Sequence, residues 1–229
     1  LLLFLALPML WMRARRLASA RVFGWRWPGG RVLAGGALFG CGVTGLVMLW
    51  SLLQNLLMPP PPEYAEAMRR LARAQTPLEA ALALCVIAVL PGLCEESFFR
   101  GLLLGSVRLR LPPVSAAAWT ALLFGAFHFD PYRLVGIGML GFAYAVLALR
   151  TGSVLPGMLA HALNNAVGLA ALWWSGARWF GFAAAGFLLA APLFFYLGNG
   201  MLPPLLFPRD DASAPPPGTT GAGTGEGQG

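Results

Sequence analysis

The chain has 229 residues, of which 58% are of hydrophobic type and 11% are charged, and its mean hydropathy is +0.68. A soluble domain carries about 25% charged residues, so this composition excludes a water-soluble enzyme, a disordered chain and a disulfide scaffold. The net charge of +7 comes from sixteen Arg and no Lys against nine acidic residues. These arginines fall between apolar runs and not along one face, so they read as loop charges obeying the positive-inside rule, and no nucleic-acid partner is expected.

In chain order, residues 1–31 read as the end of a truncated span followed by an Arg-rich cytoplasmic loop. Leu1 is no start residue, and no charged n-region or cleavage site accompanies the apolar run. This leaves room for a second membrane domain upstream, such as a fused or neighbouring transporter portion. Six further apolar segments follow, at 32–58, 78–107, 114–129, 134–149, 153–175 and 179–207, against the about 20 residues that one span needs. Residues 32–77 are expected to hold a transmembrane helix and an amphipathic surface segment, with a short helix from Glu63 to Ala74. A helical core is assigned to 78–175, where Pro91 predicts a kink. A C-terminal transmembrane helix is expected over 176–207, and a disordered tail rich in Gly, Pro, Ser and Thr over 208–229. The predicted fold class is all-α: a polytopic membrane helix bundle of about six to seven transmembrane helices around an intramembrane cavity.

Loop arginines set the orientation. With 12–31 inside, ten of them share that side and five face the other, while Arg100 lies within a span. An integral, multi-pass protein is implied, in the cytoplasmic membrane if the source is bacterial. The cysteines Cys41, Cys85 and Cys94 lack metal-type spacing and read as buried free thiols. Gly136-Ile-Gly138-Met-Leu-Gly141 and Gly101-Leu-Leu-Leu-Gly105 read as small residues for close helix packing. Trp173, Trp174 and Trp179 read as interfacial anchors.

Ionisable groups inside a bilayer are costly and mark functional sites by default. Three clusters qualify: Glu95-Glu96-Ser97-Phe98-Phe99-Arg100, Phe124 with His128, and His161 with Asn165. Glu96 and Arg100 stand four residues apart, the spacing of an intrahelical ion pair. Glu95 is left without a local cation. A lone carboxylate in apolar surroundings is a stronger base than one in water, which suits general-base work. At 1.5 Å per residue, Glu95 and His128 lie about 18 and 21 Å into their helices, and His161 and Asn165 about 12 and 18 Å. Groups on antiparallel helices thus converge near mid-membrane, which points to one reaction site.

These clusters, in this order on successive membrane helices, resemble the CPBP family of intramembrane proteases, which includes the CAAX prenyl endopeptidases and the bacteriocin-immunity (Abi) relatives. Paired glutamates with an Arg four beyond, FxxxH, then HxxxN are all present here, and the resemblance covers about residues 78–170. It implies an intramembrane endopeptidase acting on a membrane-associated protein or peptide, with membrane lipid as its other partner. Glu95 and His128 would activate water, His161 and Asn165 would form the oxyanion hole, and Glu96, Arg100 and Phe124 would orient the site. No cofactor is expected, although Glu95, His128 and His161 are also an acceptable ligand set for Zn2+. The reading from another class is a non-catalytic membrane regulator or scaffold of bacteriocin-immunity type. All the motif residues being present speaks against it.

Overall fold

The computed structural model describes residues 2–14, 16 and 22–205. Among these the chain forms helices and no strands: α1 (Leu2–Ala14), α2 (Gly30–Leu57), α3 (Pro62–Leu71), α4 (Pro77–Val107), α5 (Pro113–Ala126), α6 (Leu134–Thr151), α7 (Leu155–Trp174) and α8 (Arg178–Met201). Four of them, α2, α4, α6 and α8, are long and apolar enough to cross a membrane. The expected all-α membrane bundle is what the chain forms. The tail 208–229 lies outside the described residues.

Local sequence explains where the helices begin and end. Proline opens α3, α4, α5 and α7 in their first turn, where its missing N–H costs nothing. Thr76 caps α4 by accepting from the Glu79 N–H at 3.2 Å, while the Glu79 carboxylate accepts from the Gln75 N–H at 2.6 Å. Gly152 ends α6 at φ 62°, the left-handed conformation that glycine adopts without a Cβ penalty.

Helix α2 is the central post. It approaches α7 through Gly36 and Gly40, which abut Pro156 and Ala160, and α8 through Gly42 and Gly45, which abut Phe195 and Ala191. A Cβ at Gly42 would stand 2.6 Å from that of Phe195, so only glycine permits this approach. Phe39, Val43, Leu140, Tyr144 and Leu147 fill the core between α2 and α6.

The expected arginine-rich loop is built into the bundle. Phe23 is fully buried, and a Cβ on Gly101 would meet its backbone at 2.6 Å. Trp25 Nε1 donates to Ser97 Oγ at 3.0 Å, Val154 N–H to the Gly24 carbonyl at 3.1 Å, and Ser153 Oγ to the Arg26 carbonyl at 2.6 Å. Arg150 joins the same end by donating to Asn199 Oδ1 at 2.6 Å. At the other end Tyr64 of α3 donates to Asp130 at 2.6 Å, and Trp173 donates to the Ala72 carbonyl at 2.6 Å. Among the described residues, Arg26, Arg108 and Arg150 therefore sit at the end opposite Arg69, Arg70 and Arg133.

Several expectations change in detail. The surface helix runs Pro62–Leu71 instead of Glu63 to Ala74, because Ala72 and Arg73 close it with short backbone turns. Cys94 is buried, but Cys41 is half-buried and Cys85 exposed on the outer face of α4. Gly101 packs against the 22–24 loop and not a helix, and Gly105 and Gly138 meet no neighbour at all. Trp173 is a tether to the α3–α4 connection as much as an anchor.

Candidate active site

Helix α4 carries the acidic cluster and is irregular on both sides of it. Leu84–Val89 and Ser97–Leu103 wind as π turns flanking the regular stretch Leu90–Glu96; such turns concentrate at functional sites. Pro91 has no N–H for the carbonyl four residues before it, that of Ile87. That carbonyl instead accepts from Asn165 Nδ2 at 3.0 Å. The proline expected to kink the helix thus frees a backbone acceptor that ties α4 to α7.

His128 does not ride a helix, as its FxxxH spacing implied. Helix α5 stops at Ala126 after 14 residues, about 21 Å, short of the about 30 Å of a bilayer core. His128 sits in the turn that follows, where its backbone N–H donates to the Gly125 carbonyl at 3.2 Å. Its Nδ1 donates to the Phe124 carbonyl at 2.8 Å. A carbonyl only accepts, so Nδ1 carries the proton and Nε2 of the neutral ring presents its lone pair. That Nε2 lies 3.9 Å from Glu95 Oε2.

His161 approaches the same oxygen from α7, its Nε2 also 3.9 Å from Glu95 Oε2. Glu95 Oε2 is buried and makes no direct hydrogen bond. Two 3.9 Å gaps exceed hydrogen-bond length but suit a bridging water. Fixed donors and acceptors from α4, α7 and the α5 turn therefore surround one carboxylate oxygen.

Glu96 is completely buried. Its Oε1 accepts from Arg100 Nη1 at 3.0 Å and from His161 Nδ1 at 2.8 Å. The expected Glu96–Arg100 pair is present, and Glu96 also anchors a site histidine on another helix. Arg100 Nη2 donates to the Gly141 carbonyl at 2.8 Å, which links α4 to α6. The Phe124 ring lies 4.2 Å from the guanidinium carbon and packs edge-on to His128 and His161, at 4.9 and 5.9 Å between centroids. Phe124 thus packs against the guanidinium and both imidazoles at once.

Three residues escaped the sequence reading. Tyr144, 1% exposed, stacks on His161 with ring centroids 5.4 Å apart. Thr44 Oγ1 donates to Asn164 Oδ1 at 3.1 Å, and Asn164 Nδ2 donates to Asn165 Oδ1 at 3.2 Å. This chain fixes the Asn165 amide and leaves it a second N–H to donate. A polar pair Asn164-Asn165 within one span was the available signal for Asn164; Thr44 and Tyr144 carried none.

Among the described residues no group of three or more His, Cys, Asp and Glu is close enough to be read as a metal site, while Glu95 Oε2 lies 3.9 Å from the Nε2 atoms of both His128 and His161.

Residues 77–167 match the family model described as Rce1-like, Type II CAAX prenyl endopeptidase Rce1-like. The match spans every motif residue and supports the CPBP/CAAX protease assignment that those motifs carry. No curated protein and no solved structure matches the chain.

Proposed function

Proceeding from that family assignment, we propose that this chain is a CAAX-type intramembrane endopeptidase in which Glu95 and His128 activate a water molecule. The single observation that carries the reading is Glu95 Oε2, facing His128 Nε2 and His161 Nε2 at 3.9 Å each. A water held between these atoms loses its proton to the Glu95–His128 pair as it attacks the scissile carbonyl. The substrate is a peptide segment held within the bilayer region.

In this reading His161 is one oxyanion donor. Its Nδ1 donates to Glu96, so Nε2 can donate to an oxyanion only when the ring is cationic. The second N–H of Asn165 is the partner donor, fixed through Asn164 and Thr44.

The test is proteolysis of membrane-anchored peptides by the purified chain in detergent. Wild type and Glu95→Gln are compared, each with and without a strong zinc chelator. Cleavage that survives chelation and is lost in the folded variant is the expected result. Cleavage abolished by the chelator and restored by zinc would transfer the reaction to a metal. Retention of full turnover by Glu95→Gln would remove Glu95 from the base role.

A further inference from the structure

A cleft of about 280 Å³ opens at the arginine-rich end of the bundle, where the 22–26 loop, the end of α4 and the α6–α7 connection meet. It is bordered by Arg26, Arg100 and Arg108, and among the described residues no acidic one lines it. Arg26 and Arg108 are exposed and form no ion pair among the described residues. Arg100 is the deepest of the three. Both its Nη groups are engaged, by Glu96 and the Gly141 carbonyl, yet its buried Nε has no hydrogen-bond partner. Arg26 and Arg108 therefore present two exposed guanidiniums to the cleft with no counter-charge among the described residues, and an anion between them is the chemistry that would balance them.

The walls suit a small anion. Gly105 and Gly152 line the cleft, and a Cβ added at either would meet nothing within 4 Å, so glycine keeps the space open. The volume falls just under the about 300–1,000 Å³ of pockets for drug-sized ligands, which matches a phosphate and its immediate ester and not a peptide. Basic pockets between transmembrane helices at the cytoplasmic face are where phospholipid head groups bind.

We propose that this cleft binds the phosphate group of an anionic ligand, a lipid head group or a soluble phosphate, independently of the peptidase site.

The test is native mass spectrometry of the delipidated full chain, titrated with phosphatidylglycerol or phosphatidylcholine, with and without inorganic phosphate. Wild type is expected to hold one phosphatidylglycerol about ten-fold more tightly than phosphatidylcholine. Arg26→Gln/Arg108→Gln should lose that preference. So should Gly105→Leu, which fills the cleft at unchanged charge, while Arg69→Gln/Arg70→Gln at the opposite end should keep it. Displacement of the lipid by inorganic phosphate identifies the phosphate as the recognised group. Phosphate binding without lipid preference assigns the cleft to a soluble ligand. Wild type with neither lipid preference nor phosphate binding overturns the proposal, as does a Gly105→Leu chain that binds like wild type. None of these readouts requires peptide cleavage, so they stand apart from the activity test.

Discussion

The carboxylate of Glu96 accepts from the Nδ1 of His161 at 2.8 Å, across 65 positions of sequence and from a different helix. One oxygen of Glu96 thereby holds two cations' worth of donors, Arg100 and His161. The adjacent glutamates meet the two nitrogens of one ring: Glu95 Oε2 lies 3.9 Å from His161 Nε2, and Glu96 Oε1 binds Nδ1. In the proposed reaction the first takes the proton of the water and the second orients the histidine.

This division predicts different phenotypes for two neighbouring isosteric changes. Glu95→Gln should leave the melting temperature near that of wild type and abolish cleavage. Glu96→Gln should lower stability by roughly 3–5 kcal/mol, because Arg100 is left buried without its partner. It should also lose cleavage, since a neutral amide replaces the charged acceptor that holds His161 Nδ1. Thermal melts in detergent beside peptide turnover separate the two; equal melting temperatures would contradict the assignment of Glu96.

The Thr44–Asn164–Asn165 chain predicts a positioning effect without contact to substrate. Thr44→Val keeps the shape but removes the donor to Asn164 Oδ1. Turnover should fall by about ten-fold with KM little changed, the pattern for a group acting mainly in the transition state. Thr44→Ser, which keeps the hydroxyl, should restore it. A rise in KM alone would place Thr44 in substrate binding instead.

Tyr144 separates ring from hydroxyl. Its OH is buried without a hydrogen-bond partner, while its ring stacks on His161. Tyr144→Phe should therefore be neutral or slightly stabilising, and Tyr144→Ala should cost about 3–5 kcal/mol and most of the activity. Loss of activity in Tyr144→Phe would instead give the hydroxyl a role in the reaction.

Surface helix α3 provides a pH signature. Partial burial, then the hydrogen bond to Asp130, push the Tyr64 phenol up to about 12. A raised phenol favours the neutral form in the folded state, so its contribution to docking α3 is complete below the ordinary tyrosine pKa of about 10. That contribution is lost as pH rises through the folded value. Absorbance titration of wild type against Tyr64→Phe should show one fewer phenol ionising near the top of that window. A missing phenol at ordinary tyrosine pH would break the Tyr64–Asp130 contact.

The membrane class, the helical content and the motif residues were legible in the sequence because each rests on local information. Twenty-odd apolar residues can only span as a helix, and charges within such runs are too costly to be accidental. The Glu96–Arg100 pair was legible for the same reason, being one turn apart. What only the tertiary structure decided are relations between helices. Spacing alone gave no sign that α5 would end early and lift His128 into a turn, or that the two glutamates would meet the two nitrogens of one ring. Nor could it show the Ile87 carbonyl, freed by Pro91, meeting Asn165, or an arginine-rich loop folding back to close a cleft over Arg100. Those outcomes depend on which backbone and side-chain groups find partners across 40 to 130 residues, as the Arg100–Gly141 and Ser153–Arg26 bonds do. A buried polar group in a membrane must take its partner from whichever helix packs beside it.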